Sequence, residues 1–263
     1  MSQNITDKAD AAEARTQETR GFMQQVRVAA RRKYTPEEKV RIVLEGFRRE
    51  VAVRAILLTH YHFDHIRDVA TIGLSTAYSP EPIEVCAPQV VLDVLAEHLI
   101  NGKLYPNFQQ WPPDSPTLRF RTLLPHKFCQ IIGYEVLPLP VNHKVPTVGY
   151  QVKDRQGKSL FYTGDTSRGL SRCWQTVSPQ LLIIEVSGSN SLEERMSASG
   201  HLTPEGLRQE LLEFRKLRGY LPEVLAIHFI PMLEEQVKAE LSQVAQELKA
   251  TINMARRGMR LSL

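Results

Sequence analysis

Thr59-His60-Tyr61-His62-Phe63-Asp64-His65 places three imidazoles and one carboxylate within six residues, directly after the apolar run Ala55-Ile56-Leu57-Leu58. A short, partly β-branched apolar run reads as a buried strand, which delivers these groups at its C-terminal end. So dense a set of divalent-metal ligands makes a metallohydrolase the leading expectation, ahead of a set of surface histidines. If the chain stays extended, side chains at i, i+2 and i+4 share a side. His60, His62 and Asp64 then point together, with His65 offset by one.

Two ions need more nitrogen and oxygen donors than this segment holds, and three later strand ends offer them. His143 follows the run Tyr134 to Leu139 and precedes a second run, Thr147 to Val152. Asp165 follows Ser159 to Thr163 and then Gly164, where a glycine permits a sharp turn and close backbone approach. His228 closes the run Val224 to Ile227. His98 sits in a helical pattern of Val90, Val91, Val94, Leu95 and Leu99, and His126 follows Pro125 in a loop; both read as structural or exposed.

In chain order, the HxHxDH run His60 to His65, the single His143, Thr163-Gly164-Asp165-Thr166 and the final His228 resemble the ligand motifs of metallo-β-lactamase-fold hydrolases. The resemblance covers about Arg54 to Leu263. It implies an α+β fold, a four-layer αββα sandwich, with His60, His62 and His143 on a first metal. Asp64, His65 and His228 would hold a second, and Asp165 would bridge the two. Zinc suits the imidazole ligands, with manganese or iron as the alternatives. A second box, Ser199-Gly200-His201-Leu202-Thr203-Pro204-Glu205, resembles one found in the class II cyclic-nucleotide phosphodiesterases and the tRNA 3′-processing ribonucleases. The implied activity is hydrolysis of a cyclic nucleotide or related small phosphodiester by a hydroxide bridging two cations, with Asp64 and Asp165 at the metals. His201 is the candidate general acid, since a side chain with pKa near working pH suits proton donation to the leaving oxygen. It stands just before a helix that Thr203 caps and Pro204 opens, at the end that favours anions. Alternatives are a hydrolase of another ester, thioester or amide, and an inactive fusion.

Between Asn101 and Phe120 a proline-broken stretch reads as a long loop. Its Tyr105, Phe108 and Trp111 could form a wall for a nucleobase to stack on, or could pack the loop onto its own domain. Short strands at 55–58, 84–86, 134–139, 147–152, 159–163, 181–185 and 224–228 alternate with helical patterns at 89–99, 204–217 and 233–248. Such a pattern predicts mixed sheets covered by helices. No run is long and apolar enough for a membrane span, and the polar start does not resemble a secretory signal. Cys86, Cys129 and Cys173 are scattered, which fits a reducing cytoplasm and supplies no thiolate cluster.

The first fifth of the chain is different. Residues 1–54 hold 12 Lys/Arg against 8 Asp/Glu, whereas residues 55–263 hold 21 of each, so the formal charge of +4 is N-terminal. Residues 1–30, with few large apolar side chains, read as disordered. Within 31–53, Thr35, Pro36 and Glu38 start a helix whose apolar face is Val40, Val43, Leu44 and Phe47. It resembles the opening helix of insertion-sequence transposases, but the recognition helix does not follow, so sequence-specific DNA binding is not expected. The hydrolase domain, residues 54–263, would then be N-terminally truncated, its strand 55–58 lacking a pairing neighbour. Exposed edges of that kind favour a homodimer.

Overall fold

The computed structural model describes residues 53–77 and 79–259. The disordered segment expected at 1–30 and the transposase-like helix expected within 31–53 lie outside the described residues. From Val53 onward the chain forms one compact unit.

Among the described residues ten strands build two sheets. The first contains β1 (Ala55–Leu57), β2 (Ile83–Ala87) and β3 (Leu118–Thr122), all parallel. The second has the order β10-β9-β8-β7-β6-β5-β4. Its antiparallel half is β4 (Cys129–Ile131), β5 (Tyr134–Pro140), β6 (Val148–Lys153) and β7 (Ser159–Tyr162); its parallel half continues through β8 (Leu181–Glu185), β9 (Glu223–Ile227) and β10 (Ile252–Met254).

Side-chain alternation along the strands sorts the apolar residues into three cores among the described residues. On β2, Ile83, Val85 and Ala87 face a core shared with Ile66, Val69 and Ala70 of α1 (Phe63–Ser75) and Val91 and Leu92 of α2 (Gln89–Val94). Cys86, together with Ala55 and Leu57 of β1, faces the opposite way, onto Val136, Val148 and Tyr150 of the second sheet. The outer face of that sheet, with Leu137, Phe161, Leu182 and Ile184, is covered by α3 (Ser171–Thr176), α5 (Pro204–Arg218) and α6 (Glu234–Leu248). The layers are therefore helix, sheet, sheet, helix, the αββα sandwich expected. A short helix, α4 (Glu193–Ser199), precedes α5. Among the described residues no helix is long and apolar enough to cross a membrane.

β1 does have a neighbour. The chain leaves it through α1 and returns as β2, which pairs with it in parallel from Ala55↔Glu84 to Leu57↔Cys86. Among the described residues its other edge is unpaired. Two hydrogen bonds also tie the end of β1 to the opposite sheet: Tyr150 Oη donates to Leu58 O at 2.6 Å, and Val148 N to Thr59 O at 3.1 Å. Burial raises the pKa of Tyr150, so its hydroxyl stays a donor.

Of the two readings of the 101–120 loop, the aromatics take the one in which they pack onto the domain. Phe108 is fully buried, its ring filling the space that Gly73 of α1 leaves: a Cβ there would lie 2.8 Å from Phe108 Cδ2. Tyr105 and Trp111 are half-buried against the same core. An irregular loop needs apolar anchors to hold it on the domain, and these three aromatics supply them.

Candidate metal centre

All the strand ends singled out in the sequence meet at one edge of the sandwich. β5, β7, β8 and β9 run in one direction, so their C-terminal ends gather there, and the tie between Leu58, Thr59 and β6 brings the end of β1 to them.

The extended conformation expected through His65 breaks at Phe63. His62 is the last extended residue, and Asp64 and His65 occupy the first turn of α1. A carboxylate is favoured at a helix N-terminus, and the apolar spacing of Ile66, Val69, Ala70 and Gly73 commits the following residues to a helix. The turn separates the motif into two pairs that face the centre from different directions.

Among the described residues three groups of donor atoms result, each with its atoms within 4.8 Å of one another: His60, His62, His143 and Asp165; Asp64, His65 and His228; and Asp165, His201 and His228. In the first, His62 Nδ1 lies 3.1 Å from His60 Nε2 and 3.2 Å from His143 Nε2. His143 Nδ1 is 2.9 Å from Gly200 O. A carbonyl only accepts, so Nδ1 carries the proton and Nε2 turns its lone pair to the centre. In the second, His228 Nε2 and His65 Nε2 each lie 3.5 Å from Asp64 Oδ2. Asp165 Oδ2 stands between the groups, 3.7 Å from His60 Nε2, 3.2 Å from His65 Nε2 and 3.6 Å from His228 Nε2.

Backbone conformation makes this convergence possible. Gly164 has φ +63°, and a Cβ there would stand 2.8 Å from Thr59 Cβ, so the turn before Asp165 closes directly on the end of β1. Gly200 has φ +86°, ends α4, and offers its carbonyl to His143 at a distance no larger residue would allow.

Burial alone would raise the Asp165 pKa, but contact with His65 and the nearby imidazoles of His228 and His60 hold it well below the usual carboxylate range. His60 is lowered to about 3, first by burial and then by the neighbouring His65. The centre thus keeps a carboxylate anionic and a central imidazole neutral, the protonation states a cation requires. His65 Nε2 is buried; at 3.2 Å from Asp165 Oδ2 it is close enough for an ion pair but is not aligned for a hydrogen bond, and three other ring nitrogens face one another across about 3 Å. Divalent cations fit this donor set.

His201 joins the same cluster. Its ring lies 5.1 Å from that of His143 and stacks on that of His228, centroids 5.6 Å apart and planes 14° from parallel. His98 and His126 are exposed and stand outside the donor groups. The residue missed in the sequence is Glu185, fully buried at the end of β8. Its Oε1 is 2.8 Å from His201 Nδ1 and accepts from Thr166 N at 3.1 Å, while Oε2 accepts from Ser187 N. A carboxylate ending the apolar strand Leu-Leu-Ile-Ile-Glu was the available signal.

The beta-lactamase superfamily domain matches residues 34–229, about three quarters of the sequence. The chain belongs to this superfamily. The match begins inside the segment 31–53 that the sequence set apart. Among solved structures, the fold is similar to unliganded yeast PDE1, at 21% identity over 78% of this chain and 67% of that one, with TM-score 0.65. It is also similar to a diphosphatase of the PhnP family, at 18% identity over 87% and 78%, with TM-score 0.60. At these identities the likeness is one of fold. An octanoyltransferase of Porphyromonas gingivalis is 30% identical over 153 residues, 57% of this chain; the chain spans only 28% of that protein.

Proposed function

We propose that this chain is a divalent-metal-dependent phosphodiesterase acting on a cyclic nucleotide or a related small phosphodiester. The observation that carries the reading is His201, aimed at the donor cluster with a buried carboxylate behind it. In this reading His60, His62 and His143 hold one cation, Asp64, His65 and His228 a second, and Asp165 both. Zinc suits the five imidazoles, with manganese or iron as alternatives. Two bound cations would neutralise charge on the phosphoryl oxygens and activate water at neutral pH.

His201 does what such cations cannot. Burial would lower its pKa, but the hydrogen bond and charge of Glu185 outweigh this and raise it above the ordinary histidine value. With Nδ1–H held by Glu185, the Nε2 proton is the one available to the departing alkoxide. An alkoxide is a poor leaving group and needs that proton, whereas a thiolate does not, which gives the phosphodiester reading its advantage over a thioester. The fold supports it: a diphosphatase shares it, so it accommodates phosphoryl chemistry.

The test is a comparison of substrates at saturating zinc or manganese. Bis(p-nitrophenyl) phosphate and cyclic nucleotides are expected to turn over in preference to thioesters and lactams. For the cyclic nucleotide, His201→Ala loses about 10²–10⁴-fold in rate while retaining its metal. Turnover of a thioester or lactam without any phosphodiester would replace this reading with hydrolysis of another ester or amide.

A further inference from the structure

The Ser187 side chain makes three contacts that the proposed chemistry does not use. Its Oγ lies 2.9 Å from Glu185 Oε2, 2.9 Å from His228 Nδ1 and 3.3 Å from His201 Nδ1, and it is buried. A serine hydroxyl has one proton and two lone pairs. The carboxylate can only accept, so the proton goes to Glu185, and toward His228 the hydroxyl is an acceptor. His228 must therefore carry its proton on Nδ1. Nε2, the atom 3.5 Å from Asp64 Oδ2 and 3.6 Å from Asp165 Oδ2, is left with a free lone pair.

The backbone points the same way. His228 has φ +64°, a left-handed conformation that non-glycine side chains seldom adopt. Such a conformation persists where the surroundings over-determine it. Residues on both sides of His228 are clamped to the strand end that bears Ser187: Val186 N donates to Ile227 O at 2.9 Å, and Ile230 N to Ser187 O at 3.0 Å. Ser187 thus fixes the path of the chain through its carbonyl and the orientation of the ring through its hydroxyl.

We infer that Ser187 is a positioning residue for the metal centre: passing the fixed polarity of Glu185 to His228, it selects Nε2 as the nitrogen that binds metal. One buried carboxylate then orients both His201, directly, and His228, through the hydroxyl. The inference rests on the two-cation reading above, and its test separates the two.

Zinc alone is the probe, its affinities measured by chelator competition on the full-length protein. Ser187→Ala is expected to weaken one of the two zinc ions about 10–100-fold, the range for loss of a group that orients a ligand. In a His228→Ala background the same change should have no further effect, because the ring it acts on is gone. Ser187→Thr keeps the hydroxyl and should hold both affinities close to wild type. Unchanged affinity in Ser187→Ala, an equal loss in the His228→Ala background, or equal losses in the Ala and Thr variants would each overturn the inference. If the wild-type chain itself takes up fewer than two zinc ions, the two-cation reading fails first.

Discussion

At the residue scale, the centre depends on side chains whose protonation is set by burial and by their immediate neighbours. Gly200 is the clearest dependence: its φ is +86°, and an added Cβ would stand 2.9 Å from His143 Nδ1. Gly200→Ala should cost about 1–2 kcal/mol in backbone strain alone, read by denaturant unfolding, and should also weaken zinc binding by displacing His143. His60 sets a pH dependence. Its pKa is about 3 in the folded chain against an ordinary 6.5. Above pH 6.5 the ring is neutral folded or unfolded; as pH falls from 6.5 toward 3 the unfolded chain binds the proton first, and stability drops. His201 and His65, with raised values, act oppositely, but their contribution is complete by pH 6.5. The metal-free protein should therefore melt at progressively lower temperature between pH 6 and about 4, and His60→Asn should flatten that slope. A slope unchanged by the substitution would remove His60 as its cause.

At the element scale, α1 and the loop before β3 separate what was legible in the chain from what was not. The strands were legible, because an apolar run ending in a polar ligand names itself; β5, β8 and β9 begin and end within a residue or so of expectation. The helix α1 was not, although Ile66, Val69, Ala70 and Gly73 carry its period, because the ligands preceding them were read as extended. The aromatic loop allowed two readings, and burial decided for packing. Phe108→Ala should accordingly destabilise the fold by about 3–5 kcal/mol while leaving KM for a nucleotide substrate near wild type; a selective rise in KM would restore the stacking role. Glu185 was missed for another reason: the strand end marked it, but its partners Thr166 and His201 are brought to it only by the parallel pairing of β7, β8 and β9. Glu210 of α5 is a similar case. Its buried carboxylate accepts from Gly169 N, Leu170 N and Trp174 Nε1, holding the segment that follows Asp165. Glu210→Ala should lose about 2–3 kcal/mol in urea unfolding, as expected when hydrogen bonds to a buried charge are broken.

At the scale of the whole molecule, the donor set is assembled by the sandwich and is absent without it. His60 comes from one sheet, His143, Asp165 and His228 from the other, and the tie from Tyr150 and Val148 to the end of β1 holds the two halves in register. A cation bound there is available only to the folded chain, so zinc should raise the melting temperature, by the equivalent of about 2.7 kcal/mol at a hundredfold excess over Kd. A melting temperature indifferent to zinc would separate the donor cluster from the stability of the fold. The central claim is that this assembled centre hydrolyses phosphodiesters, and titration of the metal-free chain with zinc while following turnover of a phosphodiester tests it most directly. The expected result is activity that rises with bound metal, reaches its plateau at about two equivalents per chain, and is lost in Asp165→Ala. A folded protein that binds zinc yet turns over no phosphodiester at any ratio would contradict it.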